Sequence, residues 1–341
     1  MSMRDQLLNA AKRAGEVLDN AEAKQRIKEG YTRIDPIAIA EGDGVPVMVR
    51  PLERLLGAFL RPQSSPGILV NSQRPIGMVH LTCAHELGHY FLGHDTKTDE
   101  DLEYDNSGLP DERAANEFAY RLLMPRWLVI NIMNHKGWNL HDLEHADIVY
   151  QLSLRLGVSY TAMVWTLSRL KLLKEGVASS ISRSSPKSLK KAASPTGVHT
   201  PQQGDVWVLD VRDKDFVIEP RTTDLFILKL PNHAGAGYIW TADAAANEGF
   251  KIKPVVVDVS ALAKPMEPVV VGNEENMQYL LEPSDSVFHS KEVLPLLLSE
   301  RQPWAGGALR DHFGLKARYE DISNGLSLGS RQRLVQEAAE G

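Results

Sequence analysis

Cysteine is almost absent: Cys83 stands alone among 341 residues, which rules out an intrachain disulfide and the thiolate clusters of structural zinc sites. Long apolar runs are missing too. No segment approaches the ~20 residues of a membrane span, and residues 1–17, charged at Arg4, Asp5, Lys12, Arg13 and Glu16, contain no signal-peptide core. Positive charge is not in excess either; 38 Lys+Arg against 44 Asp+Glu give a formal net charge of −6, which argues against direct nucleic-acid binding. What remains, 43% hydrophobic and 24% charged residues, is the composition of a globular protein with no membrane partner, and the lone thiol fits a reducing cytoplasm. At this length two domains, each with its own core, are expected.

The order of patterns along the chain implies an α+β protein. Residues 1–30 read as one leading helix, with Leu7, Leu8, Ala11, Ala14, Leu18 and Ala21 near the helical period and Gly30 ending the run. Residues 31–175 read as a mostly helical domain with a small sheet. Its strand-like pieces are 45–49, 56–60 and 67–70; helical spacing returns over 78–92, a loop covers 95–110, and a helix from 111 to 123 stops before Pro125. The stretch 176–203 is rich in Ser, Lys, Pro and Ala, carries Arg183, Lys187, Lys190 and Lys191, and reads as a flexible basic linker. Short apolar runs at 205–211, 216–219, 225–230, 237–241, 251–259 and 269–271 then predict an all-β sandwich over 204–306, followed by a partly helical tail, 307–341.

The chemistry lies in His85-Glu86-Leu87-Gly88-His89. Residues four apart share one helix face, so the two imidazoles can converge on one cation while Glu86 points beside it as a general base. Two imidazoles and open coordination suit Zn2+, with Mn2+ or Fe2+ as alternatives. The flanking Val79, Leu81, Ala84, Leu87, Phe91 and Leu92 predict a mostly buried helix, where two histidines and a carboxylate need partners. A third ligand is required. Helical phase selects Glu112, on the same face as Ala115, Phe118, Ala119, Leu122 and Leu123, with Asp111 as the helix N-cap and Glu117 on the opposite, solvated face together with Tyr120. His94, beyond the helix breaker Gly93, is read as supporting the ligands or lying at the surface. Asn116, one turn after Glu112, can orient a ligand or serve as an interhelical hydrogen bond. Cys83 is read as a small buried residue, and His141 and His145 as surface side chains.

Together with Ile34-Asp35-Pro36, Gly57-Ala58-Phe59-Leu60, Val70-Asn71, Leu92-Gly93-His94 and the run Glu112-Arg113-Ala114-Ala115-Asn116-Glu117-Phe118-Ala119 to Pro125, the motif resembles the ImmA/IrrE metallopeptidases over residues 31–175. That resemblance implies a zinc endopeptidase of zincin-like fold with Glu112 completing the metal site. It also implies a helix-turn-helix transcriptional repressor as the substrate. Further on, Asn232 with Gly237-Tyr238-Ile239-Trp240-Thr241, and Arg301-Gln302-Pro303-Trp304, resemble loop motifs of chagasin-like inhibitors of papain-type proteases, an immunoglobulin-like sandwich. Tyr238, Trp240 and Trp304 become candidate partner-binding residues, for a papain-like protease or another protein. The competing reading is a non-catalytic anti-repressor or cysteine protease inhibitor whose metal site is structural.

Overall fold

The computed structural model describes residues 2–53, 55–60, 66–94, 97–99, 109–241, 250–255, 276–283, 292–304, 306–320, 322 and 324–340. Helical and sheet structure are mixed: a helical N-terminal half with a small sheet is followed by further sheets. The leading helical run is two helices, α1 (Met3–Asn20) and α2 (Ala23–Lys28), divided where Glu22 takes a left-handed conformation at φ 50°. After α3 (Pro36–Gly42), capped by the Asp35 side chain, come β1 (Val47–Arg50), β2 (Gly57–Leu60) and β3 (Gly67–Asn71). Then follow α4 (Ile76–Leu92), β4 (Lys97–Asp99) and α5 (Pro110–Leu123). The short strand β4 lies within the stretch expected to be a loop, and pairs with β2.

Helix α4 is the central element. Every residue from Val79 to His89 is buried. A helix buried on all sides has to be covered on all sides, and here the sheet packs on one side and α5 on the other, with α1 against both helices. Helices α6 (Arg126–Lys136), α7 (Ala146–Leu156) and α8 (Tyr160–Arg169) complete this half, with Leu128, Ile132, Leu152, Met163 and Leu167 in one core.

The stretch 176–203, expected to be a flexible linker, instead carries two short docked helices, α9 (Glu175–Ile181) and α10 (Pro186–Ala193). Ser185 accepts a hydrogen bond from the Ser188 amide, and Pro186 sits at the first helical position, so α10 starts on strong local signals. Ala178, Ile181 and Leu189 are buried, Tyr160 donates to the Ile181 carbonyl at 2.7 Å, and Lys190 reaches the Gly204 carbonyl at 2.6 Å. Few apolar residues are needed to dock such short helices, which is why a composition typical of a tether conceals them.

Beyond α10 the described strands are β5 (Val206–Asp210), β6 (Val217–Ile218), β7 (Leu225–Pro231), β8 (Ile239–Thr241), β9 (Phe250–Pro254), β10 (Asn276–Pro283), β11 (Leu294–Arg301), β12 (Leu309–Ala317) and β13 (Gly325–Leu326). Eight of them form two four-stranded sheets, β5-β7-β10-β9 and β6-β12-β11-β8, each with a parallel pair at one edge, while β13 joins the sheet of β1 to β4. The strand expected at 269–271 lies outside the described residues. The tail expected to be partly helical holds β12 as well as α11 (Leu328–Glu340). Strand β13 pairs antiparallel with β1, giving the order β13-β1-β3-β2-β4, and closes an edge that would otherwise present unpaired backbone groups. The start of α11 is fixed from the other half of the chain: Glu41 accepts from the Ser330 amide at 3.0 Å, and the Ser330 hydroxyl accepts from the Val47 amide at 3.1 Å.

Buried charge ties the two halves together. Asp213 is fully buried and accepts from Arg155 Nη2 at 2.6 Å and Lys136 Nζ at 2.7 Å. Burial alone would raise its carboxyl, but Arg155 and Lys136 outweigh it and hold the pKa below the usual range. A second cluster sets Arg33 against Glu219 at 3.0 Å and Glu320 at 3.2 Å, and His80, on α4 itself, against Glu320 at 2.7 Å. Removing one member of such a buried set leaves the others uncompensated. Asp213→Ala is therefore expected to cost about 3–5 kcal/mol in urea-denaturation experiments. Asp35 shows the same balance: burial raises its carboxyl, while Arg33, Arg26 and the Ala38 amide lower it to about 2. A depressed folded-state pKa adds stability above the unfolded value near 4 that fades as pH falls through about 2. Asp35→Asn should flatten the pH dependence of stability between pH 4 and 2, and an unaltered slope would contradict this assignment.

Candidate metal centre

Helix α4 supplies three of the four predicted central residues in one turn. His85 and His89 bring their Nε2 atoms to 3.0 Å of each other, and each Nε2 lies 3.3 Å from Glu112 Oε2 on α5. All three side chains are buried, and their candidate ligand atoms lie within 4.8 Å of one another. Ligand atoms held tetrahedrally at ~2.0–2.1 Å from zinc are about 3.3 Å apart. The triangle therefore fits a metal of that size with small adjustment. Burial by itself would raise the Glu112 carboxyl, but hydrogen bonds from His85 and His89 hold its pKa well below the ordinary range. It remains an anion, as a ligand must.

Glycine makes the convergence possible. A Cβ added at Gly88 would lie 2.9 Å from Ala115 Cα and 3.0 Å from the Ala115 carbonyl oxygen, so α4 and α5 touch backbone to backbone one residue before His89. The approach brings Glu112, one turn before Ala115, opposite the histidines. Gly57 plays a similar part on β2, where an added Cβ would meet Thr82 Cγ2 at 2.4 Å and Glu86 Oε1 at 3.3 Å. Glu86 thus extends toward the sheet from the buried middle of α4, its side chain lodged against the backbone of β2.

The supporting residues divide between the two imidazoles. Asn116 Oδ1 lies 3.0 Å from His85 Nδ1, and His94 Nδ1 lies 3.0 Å from His89 Nδ1. Gly93, left-handed at φ 73°, ends α4 and turns the chain back, so that the His94 amide bonds the His89 carbonyl at 3.0 Å. Asp111 is not the N-cap expected of it. Pro110 takes the first position of α5 and the cap falls to Leu109, leaving Asp111 in the first turn with Oδ1 3.8 Å from His94 Nε2. Tyr120, assigned to the solvated face, is buried beneath the Arg169 guanidinium, whereas Glu117 accepts from Arg121 at 2.7 Å.

Other candidates lie elsewhere. Cys83 is fully buried, and two residues from His85 it points away from the ligand face; burial first, then Asp35 and Glu86, push its thiol well above the ordinary value. His141 and His145 sit at the 3-10 turn before α7 with rings 5.8 Å apart. In the C-terminal half, Trp240 is a core residue whose indole donates to the Pro231 carbonyl at 2.9 Å. Trp304 is 70% exposed and lies against Gly237, while Tyr238 faces Arg310. The sequence reading missed the His80–Glu320–Arg33 cluster, because its members lie far apart in the chain and only His80 falls near the motif.

Two histidines one helical turn apart, closed by a glutamate from a second helix, define a centre that can hold a metal ion in a peptidase-like domain. Consistent with that class, residues 40–168 match the family model described as Peptidase_M78, IrrE N-terminal-like domain. Among solved structures, the chain is similar to the cysteine protease inhibitor EhICP2 from Entamoeba histolytica at 13% identity, over 34% of this chain and 95% of that one, with a TM-score of 0.24. That superposition is too low to carry an argument. No curated protein matches the chain, and no helix among the described residues is long and apolar enough to cross a membrane.

Glu112→Ala removes the only carboxylate of the triangle. Zinc affinity measured by competition with a chromophoric chelator is expected to fall by more than the roughly 10–100-fold typical of supporting residues, and unchanged affinity would exclude the triangle as the metal site.

Proposed function

We propose that this protein is a zinc-dependent endopeptidase, with Mn2+ or Fe2+ as possible replacements for zinc, acting on a helix-turn-helix transcriptional repressor in the cytoplasm and so relieving repression. The observation that carries the proposal is the buried His85–His89–Glu112 triangle with Glu86 on the same helical turn. Zinc bound there would polarise a scissile carbonyl and lower the pKa of a coordinated water toward 7. Glu86 accepts the proton from the attacking water and returns it to the leaving amine. A group that makes both transfers contributes on the order of 10²–10⁴ in rate. A purely structural metal site has no use for such a carboxylate, so Glu86 favours catalysis over the non-catalytic anti-repressor reading. The match of residues 40–168 to a peptidase family supports the reaction class, and the resemblance to ImmA/IrrE peptidases supports the repressor.

For the C-terminal half we propose an immunoglobulin-like sandwich that binds a protein partner, a papain-like protease among the possibilities. The two four-stranded sheets and the exposed Trp304 support this role. Trp240, buried in the core, supports the fold rather than the contact.

The test is cleavage of purified candidate repressors by the zinc-loaded protein and its Glu86→Gln variant, with product ends mapped. The variant should keep zinc and lose about 10²–10⁴ in kcat. Equal cleavage by both would sink the mechanism, and relief of repression by the variant without cleavage would favour the binding role.

A further inference from the structure

The contact between His89 and His94 joins two imidazoles through the same kind of nitrogen, Nδ1 to Nδ1 at 3.0 Å. One proton lies between them, and its owner decides whether His89 can serve as a ligand. If His94 supplied the proton, neutral His89 would carry its own on Nε2, the atom that faces His85 Nε2 at 3.0 Å and Glu112 Oε2 at 3.3 Å. If His89 supplies it, Nε2 is bare and its lone pair points into the triangle. His85 meets no such choice, because its Nδ1 faces the Asn116 side-chain oxygen, which can only accept.

For His89 the choice passes one residue outward. His94 Nε2 lies 3.8 Å from Asp111 Oδ1, at the first turn of α5, four residues before the contact with Gly88 at Ala115 and adjacent in sequence to Glu112. A carboxylate beside Nε2 favours a proton on that nitrogen and leaves Nδ1 as an acceptor. The Gly93 turn holds the ring in place, since the His94 amide is bonded back to the His89 carbonyl at 3.0 Å. We propose that Asp111 and His94 form a positioning relay that selects the His89 tautomer, so that the helix which carries Glu112 also prepares the second histidine for the metal. The relay rests on the reading of the triangle as a metal site. It makes His94 a positioning residue that acts through His89, not a fourth ligand.

Two measurements on the full-length protein test it without substrate, so they stand or fall separately from the peptidase reading. In histidine-15N-labelled, zinc-loaded protein, long-range 1H–15N correlation should show His94 protonated at Nε2 and bare at Nδ1, with His89 protonated at Nδ1. A proton on His94 Nδ1 would overturn the relay, and this reading needs no substitution. Chelator competition should show zinc bound ~10–100-fold more weakly by His94→Ala. Asp111→Ala should weaken it less, and should add nothing in the His94→Ala background, as the relay requires of a group whose effect on His89 passes through His94. Wild-type zinc affinity in a folded His94→Ala variant, or an Asp111→Ala loss of equal size in both backgrounds, would contradict the relay. His94→Gln, whose side-chain oxygen can accept from His89, should recover part of the loss.

Discussion

The backbone contact between α4 and α5 at Gly88 and Ala115 is the constraint on which the site depends. A metal triangle drawn from two helices needs their axes closer than ordinary side chains permit, and a glycine facing an alanine allows it. From that contact the rest follows in order. Glu112 lies one turn before Ala115 and meets the imidazoles of His85 and His89; Asn116, one turn after Glu112, meets Nδ1 of His85. Asp111, beside Glu112, comes near His94. Helix α5 thus provides the acid ligand and the partner of His85, while His94, just beyond the end of α4, meets His89.

Helix α4 and the elements packed around it are tied to distant parts of the chain. His80 on α4 binds Glu320, Arg33 joins Glu219 and Glu320, and Asp213 anchors β5 and the turn after it to α6 and α7 through Lys136 and Arg155. Strand β13 and the start of α11 lie at the far edge of the sheet from β4. These contacts make the C-terminal half part of the support of the metal helix rather than a separate body on a tether. Polar groups this deeply buried specify one arrangement, because any shift leaves a charge without its partner.

Much of the site was legible before the structure. The i, i+4 spacing of the histidines and the apolar phase of 111–123 determine which side chains can converge, and both are local properties of helices. Asp111 was misassigned because the cap was placed by residue type, while Pro110 starts the helix earlier. The partnership of His94 with His89 depends on the left-handed Gly93 turn, which helical phase does not describe. Strand β12 left a signal in the alternation of Phe313, Leu315 and Ala317, all buried. By contrast, β13 has two residues and exists only through its pairing with β1, and α9 and α10 rest on so few buried side chains that composition outweighed pattern. Non-local pairing of this kind has no periodic trace in a sequence.

The most direct test of the central claim is X-ray absorption spectroscopy on the stoichiometrically zinc-loaded protein. The account predicts one zinc per chain, with imidazole scattering from two histidines and oxygen ligands near 2.0–2.2 Å. A thiolate shell near 2.3 Å, which could come only from Cys83, or scattering from fewer than two imidazoles, would contradict it.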